Sequence, residues 1–157
     1  MRQPRHLNLN YHEIAHIVTE LNLLLEGALL NKVRKGFQSE YIFEFYKDGI
    51  RYYLVLGLNP NLISLHLASK GDYYTFTADA FTLLLRKKIQ RQRLLAFRVE
   101  EGERIVSLDF ANDFSLKVFL FSKGANLILE EEGKTLFALR KIEESAVPAQ
   151  DFTKENT

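Results

Sequence analysis

After Gly27 the apolar residues stop recurring every three to four positions and begin to alternate with polar ones. That change of period constrains the chain more than any other feature. Upstream of it, Ile14, Ile17, Val18, Leu21, Leu24, Leu25 and Ala28 fall on one helical face, which predicts a helix over 11–26. Asn8 or Asn10 can cap its start and Gly27 can end it. Downstream, the alternation predicts strands over 29–34, 40–46, 51–58 and 63–68. Tyr41, Phe43 and Phe45 share one face of the second of these, and Ile42, Glu44 and Tyr46 the other. Lys47-Asp48-Gly49 reads as a hairpin connection and Leu58-Asn59-Pro60-Asn61 as a wider turn.

A second helix is predicted from Thr77 or Ala78 to about Gln92, apolar along Ala80, Phe81, Leu84, Leu85 and Ile89. Strands then resume over 94–100, 104–110, 115–121, 125–130 and 135–141. Their joints are short and rich in turn residues: Glu101-Gly102, Ala111-Asn112-Asp113, Ser122-Lys123-Gly124 and Glu132-Gly133. Parallel pairing would need a crossover between successive strands, and only one helix interrupts them. The expected class is therefore α+β, an antiparallel β-sandwich flanked by two helices. From 145 to 157 all periodicity is lost, which reads as a flexible tail or the start of a linker after one domain over 1–144.

Composition removes several chemistries. With no cysteine there is no disulfide, no cysteine-ligated zinc and no thiol nucleophile. No stretch approaches the roughly 18 apolar residues of a membrane span, and the basic start Met1-Arg2-Gln3-Pro4-Arg5-His6 is not followed by a signal peptide's apolar core. The expectation is a cytoplasmic protein with no membrane partner. Lys and Arg total 21 against 20 Asp and Glu, so no global field attracts a polyanion. Any such binding must come from a local patch.

The sequence His12-Glu13-Ile14-Ala15-His16 fits the zinc-protease form H-E-x-x-H, which sets two ligands one helical turn apart with a glutamate as general base. A zinc hydrolase is the enzymatic reading of this chain. The apolar face of the same helix, however, points away from His12 and His16, so both should face solvent. His6 and His66 bear no motif relation to them, and no downstream carboxylate stands out as a third ligand. A solvated polar face is the expectation, with no metal, no cofactor and no catalytic residue. No serine sits in a G-x-S-x-G elbow, and no phosphate-binding glycine loop occurs.

Electrostatics point elsewhere. Arg86, Lys87, Lys88, Arg91, Arg93 and Arg98 lie in a run without one acidic residue. On a helix, Lys87, Lys88 and Arg91 would share an exposed stripe. Cations near a helix C-terminus are favourable against its dipole by about 0.3–1 kcal/mol each. Six exceed that need, and a polyanion-binding segment is expected here.

Taken in order, several segments resemble the N-terminal domain of the NFACT family, whose members include fibronectin-binding protein A-like proteins. Leu21 to Val33 (LNLLLEGALLNKV) is similar to the family's opening "EL…L.GARINKI". Leu54 to Lys70 resembles its "LLISAHPSYARIHLTEK", with Pro60, His66 and Leu67 in common. Phe81 to Lys87 resembles "F…LLRKHL", Glu103-Arg104-Ile105-Val106 falls at "DRIV", Gly124 to Leu129 at "RHSNIIL", and Phe137-Ala138-Leu139-Arg140 at "ILDALK". The series spans most of the chain. Ser64 stands where the family often has Arg, and Lys123-Gly124-Ala125 replaces Arg-His-Ser.

The resemblance implies a fold similar to the N-terminal domain of formamidopyrimidine-DNA glycosylase, without that enzyme's N-terminal proline and neighbouring glutamate. It also implies a non-catalytic role in ribosome-associated quality control, binding tRNA and the large ribosomal subunit. Carried over by position, Arg104 would be the tRNA-recruiting arginine, with Glu103 in place of an aspartate to hold its orientation. Arg86, Lys87, Lys88, Arg91, Lys123 and Asn126 would extend the RNA contact. The alternative is an adhesin-like protein-interaction domain with an extracellular-matrix partner. No counterpart of the family's further domains is present, so a part of a larger protein or a short member is expected.

Overall fold

A computed structural model describes residues 10–59, 62–70, 73, 75–121 and 124–140. The expectations for Asn8, for the Pro60-Asn61 turn, for Lys123 and for the 145–157 tail fall outside them. Helix α1 (Tyr11–Leu25) starts at Asn10, whose side chain accepts from the Glu13 N–H at 2.8 Å while the Glu13 carboxylate accepts from the Asn10 N–H at 2.9 Å. This reciprocal capping box fixes the first turn. At the other end Gly27 takes φ +87°, a conformation glycine adopts without a Cβ clash. Its N–H then donates to the Leu94 carbonyl at 2.7 Å.

Strands β1 (Leu29–Lys35), β2 (Glu40–Lys47), β3 (Ile50–Asn59) and β4 (Leu62–Ala68) form one antiparallel sheet in chain order. Helix α2 (Ala80–Ile89) follows. Strands β5 (Leu94–Val99), β6 (Ile105–Phe110), β7 (Phe114–Phe119), β8 (Asn126–Glu131) and β9 (Lys134–Ala138) then form a second antiparallel sheet, again in chain order. A short 3-10 turn, Ala111–Asp113, joins β6 to β7. The α+β class with two antiparallel sheets and two helices is as expected.

One apolar core unites both sheets and both helices. Tyr41, Phe43 and Phe45 of β2 face it, together with Leu54, Leu56 and Leu58 of β3 and Leu108, Phe110, Leu116 and Val118 of the second sheet. Phe45 lies parallel to Phe110 across the two sheets, with centroids 6.5 Å apart. Helix α1 packs on β5 and α2 on β1. Phe81 of α2 meets Tyr41 and Phe137 edge-on at 5.9 and 5.4 Å, closing the core between the sheets. The hairpin joints Asp48-Gly49 and Glu132-Gly133 take positive φ at both residues, the geometry that matches strand twist in a two-residue turn.

Two expectations need correction. Helix α2 is shorter than 77–92. Asp79 caps it, accepting from the Thr82 N–H at 2.8 Å, and it ends at Ile89. The chain turns away at Arg91, φ +77°, because the Arg91 N–H donates to the Leu30 carbonyl and the Leu30 N–H to the Gln92 carbonyl. Tertiary pairing with β1 thus overrides the helical pattern. The apolar helix faces are the second: Leu84 and Ala80 of α2 are exposed, as is Leu83, while Thr82 takes the inward place beside Phe81, Leu85 and Ile89, and Leu24 of α1 is exposed as well.

Candidate functional site

The loss of helix at Arg91 reshapes the basic segment. Lys87 and Lys88 stay in the last turn of α2, but Arg91 projects from the connection that follows rather than from a shared helical stripe. Arg86 is half-buried and donates from Nε to the Val33 carbonyl at 2.8 Å, tying α2 to β1. Arg93 donates from Nη1 to the Gly27 carbonyl at 2.7 Å. Arg98 pairs with Asp109 at 2.6 Å on the outer face of the second sheet. Among the described residues, Lys87, Lys88 and Arg91 carry no ion pair. They form the uncommitted part of the cationic run.

Asp109 explains why Arg98 is withdrawn. Its carboxylate accepts from Arg98, from Ser107 at 2.8 Å and from Ser115 at 2.6 Å. Burial pushes this carboxyl up, but the hydrogen bonds and the guanidinium outweigh it and hold it below the ordinary aspartate value. An arginine fixed this way is a cross-strand strut.

Arg104 lies at the β5–β6 turn, at the far end of β5 from Arg91, about 20 Å of strand away at ~3.3 Å per residue. It is half-buried, with its guanidinium carbon 5.3 Å from the centroid of the Phe121 ring. Its carbonyl accepts from the Leu120 N–H at 2.9 Å. Among the described residues no carboxylate pairs with it. Glu103 is exposed, and its N–H donates to the Glu100 carbonyl at 3.0 Å. The aromatic ring of Phe121, not the neighbouring carboxylate, orients this guanidinium. Glu100 is occupied by Lys117 at 3.0 Å, and Glu101 is exposed beside them.

Asn126 is fully engaged. Its Oδ1 accepts from the Leu127 and Arg140 N–H groups, each at 2.9 Å, and its Nδ2 donates to the Arg140 carbonyl at 3.1 Å. It clamps the chain leaving β9 onto β8. His12 and His16 are exposed, as the helical phase predicts. His16 lies 3.3 Å from Glu20, and Glu13 serves the capping box.

Two features escaped the sequence reading. Phe37 and Phe76 form an exposed aromatic pair, 5.9 Å between centroids, beside Lys35. The outer face of the first sheet also buries a carboxylate. Glu44 is 3% exposed and accepts from Arg34 at 2.9 Å and Asn31 at 2.7 Å, with Arg51 at 3.9 Å. Burial raises its pKa, but the Arg34 and Asn31 hydrogen bonds and the nearby guanidinium charges outweigh it and hold the carboxyl below the ordinary glutamate value. Asp79 behaves alike: burial raises it, while the Thr82 N–H and the Tyr41 hydroxyl at 2.9 Å win and hold it below the ordinary aspartate value.

Both carboxyls are more acidic folded than unfolded, so the native state binds fewer protons, and the stabilisation is present above the unfolded values. The urea midpoint should therefore fall as pH drops from about 5 towards 2. Glu44→Gln should flatten that decline, and an unchanged pH profile in this variant would contradict the assignment.

Comparison with known proteins gives three results. The family model described as NFACT N-terminal and middle domains matches residues 11–146. Among relatives, the chain is 25% identical over 128 residues to Ribosome quality control complex subunit 2 of Saccharomyces cerevisiae, covering 80% of this chain and 12% of that protein. It is 23% identical over 137 residues to the Rqc2 homolog RqcH of Streptococcus suis, covering 81% of this chain and 25% of the relative. The chain thus spans a quarter or less of these relatives. Among solved structures, the N-terminal domain of fibronectin-binding protein PavA from Streptococcus pneumoniae superimposes with a TM-score of 0.79 at 20% identity, covering 87% of this chain and 55% of that one. The N-terminal part of the fibronectin/fibrinogen-binding protein of Streptococcus suis gives 0.73 at 23% identity, covering 82% and 52%. At these identities the superpositions establish a shared fold.

Proposed function

The chain belongs to the NFACT family, within its N-terminal and middle domains, and from that premise we propose that it is a non-catalytic RNA-binding domain that engages tRNA and the large ribosomal subunit in ribosome-associated quality control. The yeast relative is named as a ribosome quality control complex subunit and the Streptococcus suis one as an Rqc2 homolog, which supports the setting. The observation that carries the reading is the presentation of Arg104. A guanidinium braced on Phe121 and unpaired with any carboxylate among the described residues keeps its donor fork free for a phosphate. Lys87, Lys88 and Arg91 supply further phosphate contacts from the other end of β5. Arg86 adds charge while anchored to Val33. Asn126 holds the start of β8 to the chain leaving β9 rather than offering a free amide. The cytoplasmic setting and the likeness to the glycosylase N-terminal domain belong to the same proposal.

Arg104→Ala should weaken tRNA binding about tenfold, or ~1.4 kcal/mol. Glu101→Ala should tighten it, because a like charge beside the phosphate is removed. A filter-binding titration reads both. Unchanged affinity in the Arg104 variant would overturn this role. The alternative, an adhesin-like domain binding an extracellular-matrix protein, draws on the fibronectin-binding names of the structural neighbours. It predicts salt-insensitive binding to a protein partner and no RNA affinity.

A further inference from the structure

The outer face of the first sheet, away from the second sheet, holds a cleft of about 330 Å³. Glu44 forms part of its wall, flanked by Arg34, Arg51 and Lys70, with Tyr53, Tyr73 and Thr75 completing the lining. The site is built rather than incidental. A β-bulge between Leu30 and Lys32 lets Asn31 turn its amide onto Glu44, fixing one carboxylate oxygen. Arg34 fixes the other from Nη2, yet its Nε is buried and accepted by nothing among the described residues. Arg51 is 56% exposed and only 3.9 Å from Glu44, a loose contact that leaves its fork available. Tyr53 and Tyr73 meet at 5.5 Å, and Tyr73 remains half-buried at the cleft wall.

Charge defines the ligand. Three cations face one carboxylate, an excess of about two positive charges, and a phosphate monoester carries about −1.5 to −2 at neutral pH. A backbone diester would leave this excess half unmatched. The volume lies at the lower end of the ~300–1,000 Å³ of small-molecule sites and exceeds what a lone phosphate needs. An attached ring can lie against Tyr73, since aromatic side chains stack on every base.

We propose that this cleft binds a phosphate monoester of a nucleotide, with Arg34, Arg51 and Lys70 on the phosphoryl oxygens and Tyr73 beside the base. The bearer is either a free mononucleotide or the phosphorylated 5′ end of an RNA. The site lies on a different sheet from Arg104 and stands independently of the tRNA reading.

The test titrates the chain with adenosine monophosphate, and separately with 5′-phosphorylated and unphosphorylated forms of one RNA oligomer, following amide shifts of Tyr73 and Thr75. The Arg51→Ala/Lys70→Ala double variant keeps the Arg34–Glu44 and Asn31–Glu44 contacts, so it should stay folded, with an unfolding midpoint close to the parent's. Adenosine monophosphate should bind saturably, at least tenfold more weakly in the double variant and equally in Arg104→Ala. Saturation only by the 5′-phosphorylated oligomer, with the same loss in the double variant, assigns the RNA end as the bearer. Lack of saturation by all probes, or equal binding by the double variant, overturns the proposal. Failure of the tRNA reading would look different: salt-dependent tRNA binding would be missing while adenosine monophosphate still bound.

Discussion

Phe45→Ala is expected to destabilise the fold by about 3–5 kcal/mol, the cost of a buried phenyl ring plus the cavity it leaves. Phe45 is fully buried and stacks on Phe110 of the other sheet, so its removal opens the seam between the two layers. The first sheet cannot collapse easily into the gap, because Phe43 and Leu54 are held in register by the β2–β3 ladder. With domain stabilities of about 5–15 kcal/mol, this loss takes much of the total. Urea unfolding should show a lower midpoint at unchanged slope. Leu23→Ala, at a position 73% exposed on α1, should change the stability by less than about 0.5 kcal/mol and serves as the contrast.

The second large effect concerns binding. Lys87→Ala, Lys88→Ala and Arg91→Ala combined should reduce the slope of log affinity for tRNA against log salt by about 2–3, since each phosphate contact contributes about 0.7–0.9. At ~0.1 M salt that corresponds to a loss on the order of 100-fold. Arg98→Ala should behave differently although it belongs to the same cationic run. Its guanidinium is committed to Asp109, so the change should cost stability and leave the salt slope unaltered. Equal slope changes in the two variants would show that charge number, rather than which cations are uncommitted, governs binding.

Local signals carried the architecture. The capped start at Asn10, the glycine at 27 and the two-residue turns Asp48-Gly49 and Glu132-Gly133 are chemical necessities of the backbone they form, and each is visible in the chain. The alternation in β2 correctly separates the inward Tyr41, Phe43 and Phe45 from the outward Ile42 and Glu44. What could not be read is set by partners distant in sequence. Arg91 adopts a left-handed conformation with no glycine to announce it, because the start of β1 captures its N–H. The basic run looks uniform until Asp109, Val33 and Gly27 each claim one arginine. Asn126 resembles a free polar side chain until the backbone of Arg140 folds onto it. The cleft of Arg34, Glu44, Arg51 and Lys70 gathers charges from β1, β2, β3 and the chain beyond β4, and no spacing in the sequence reports that meeting.

On the proposed function, this near-neutral chain binds RNA through a few uncommitted cations. The most direct test is the affinity of the chain for tRNA measured from about 50 to about 200 mM salt. Log affinity is expected to fall linearly with log salt, with a slope of about −3 for roughly four phosphate contacts at ~0.7–0.9 each. A flat dependence, or no tRNA binding at the lowest salt, would contradict it.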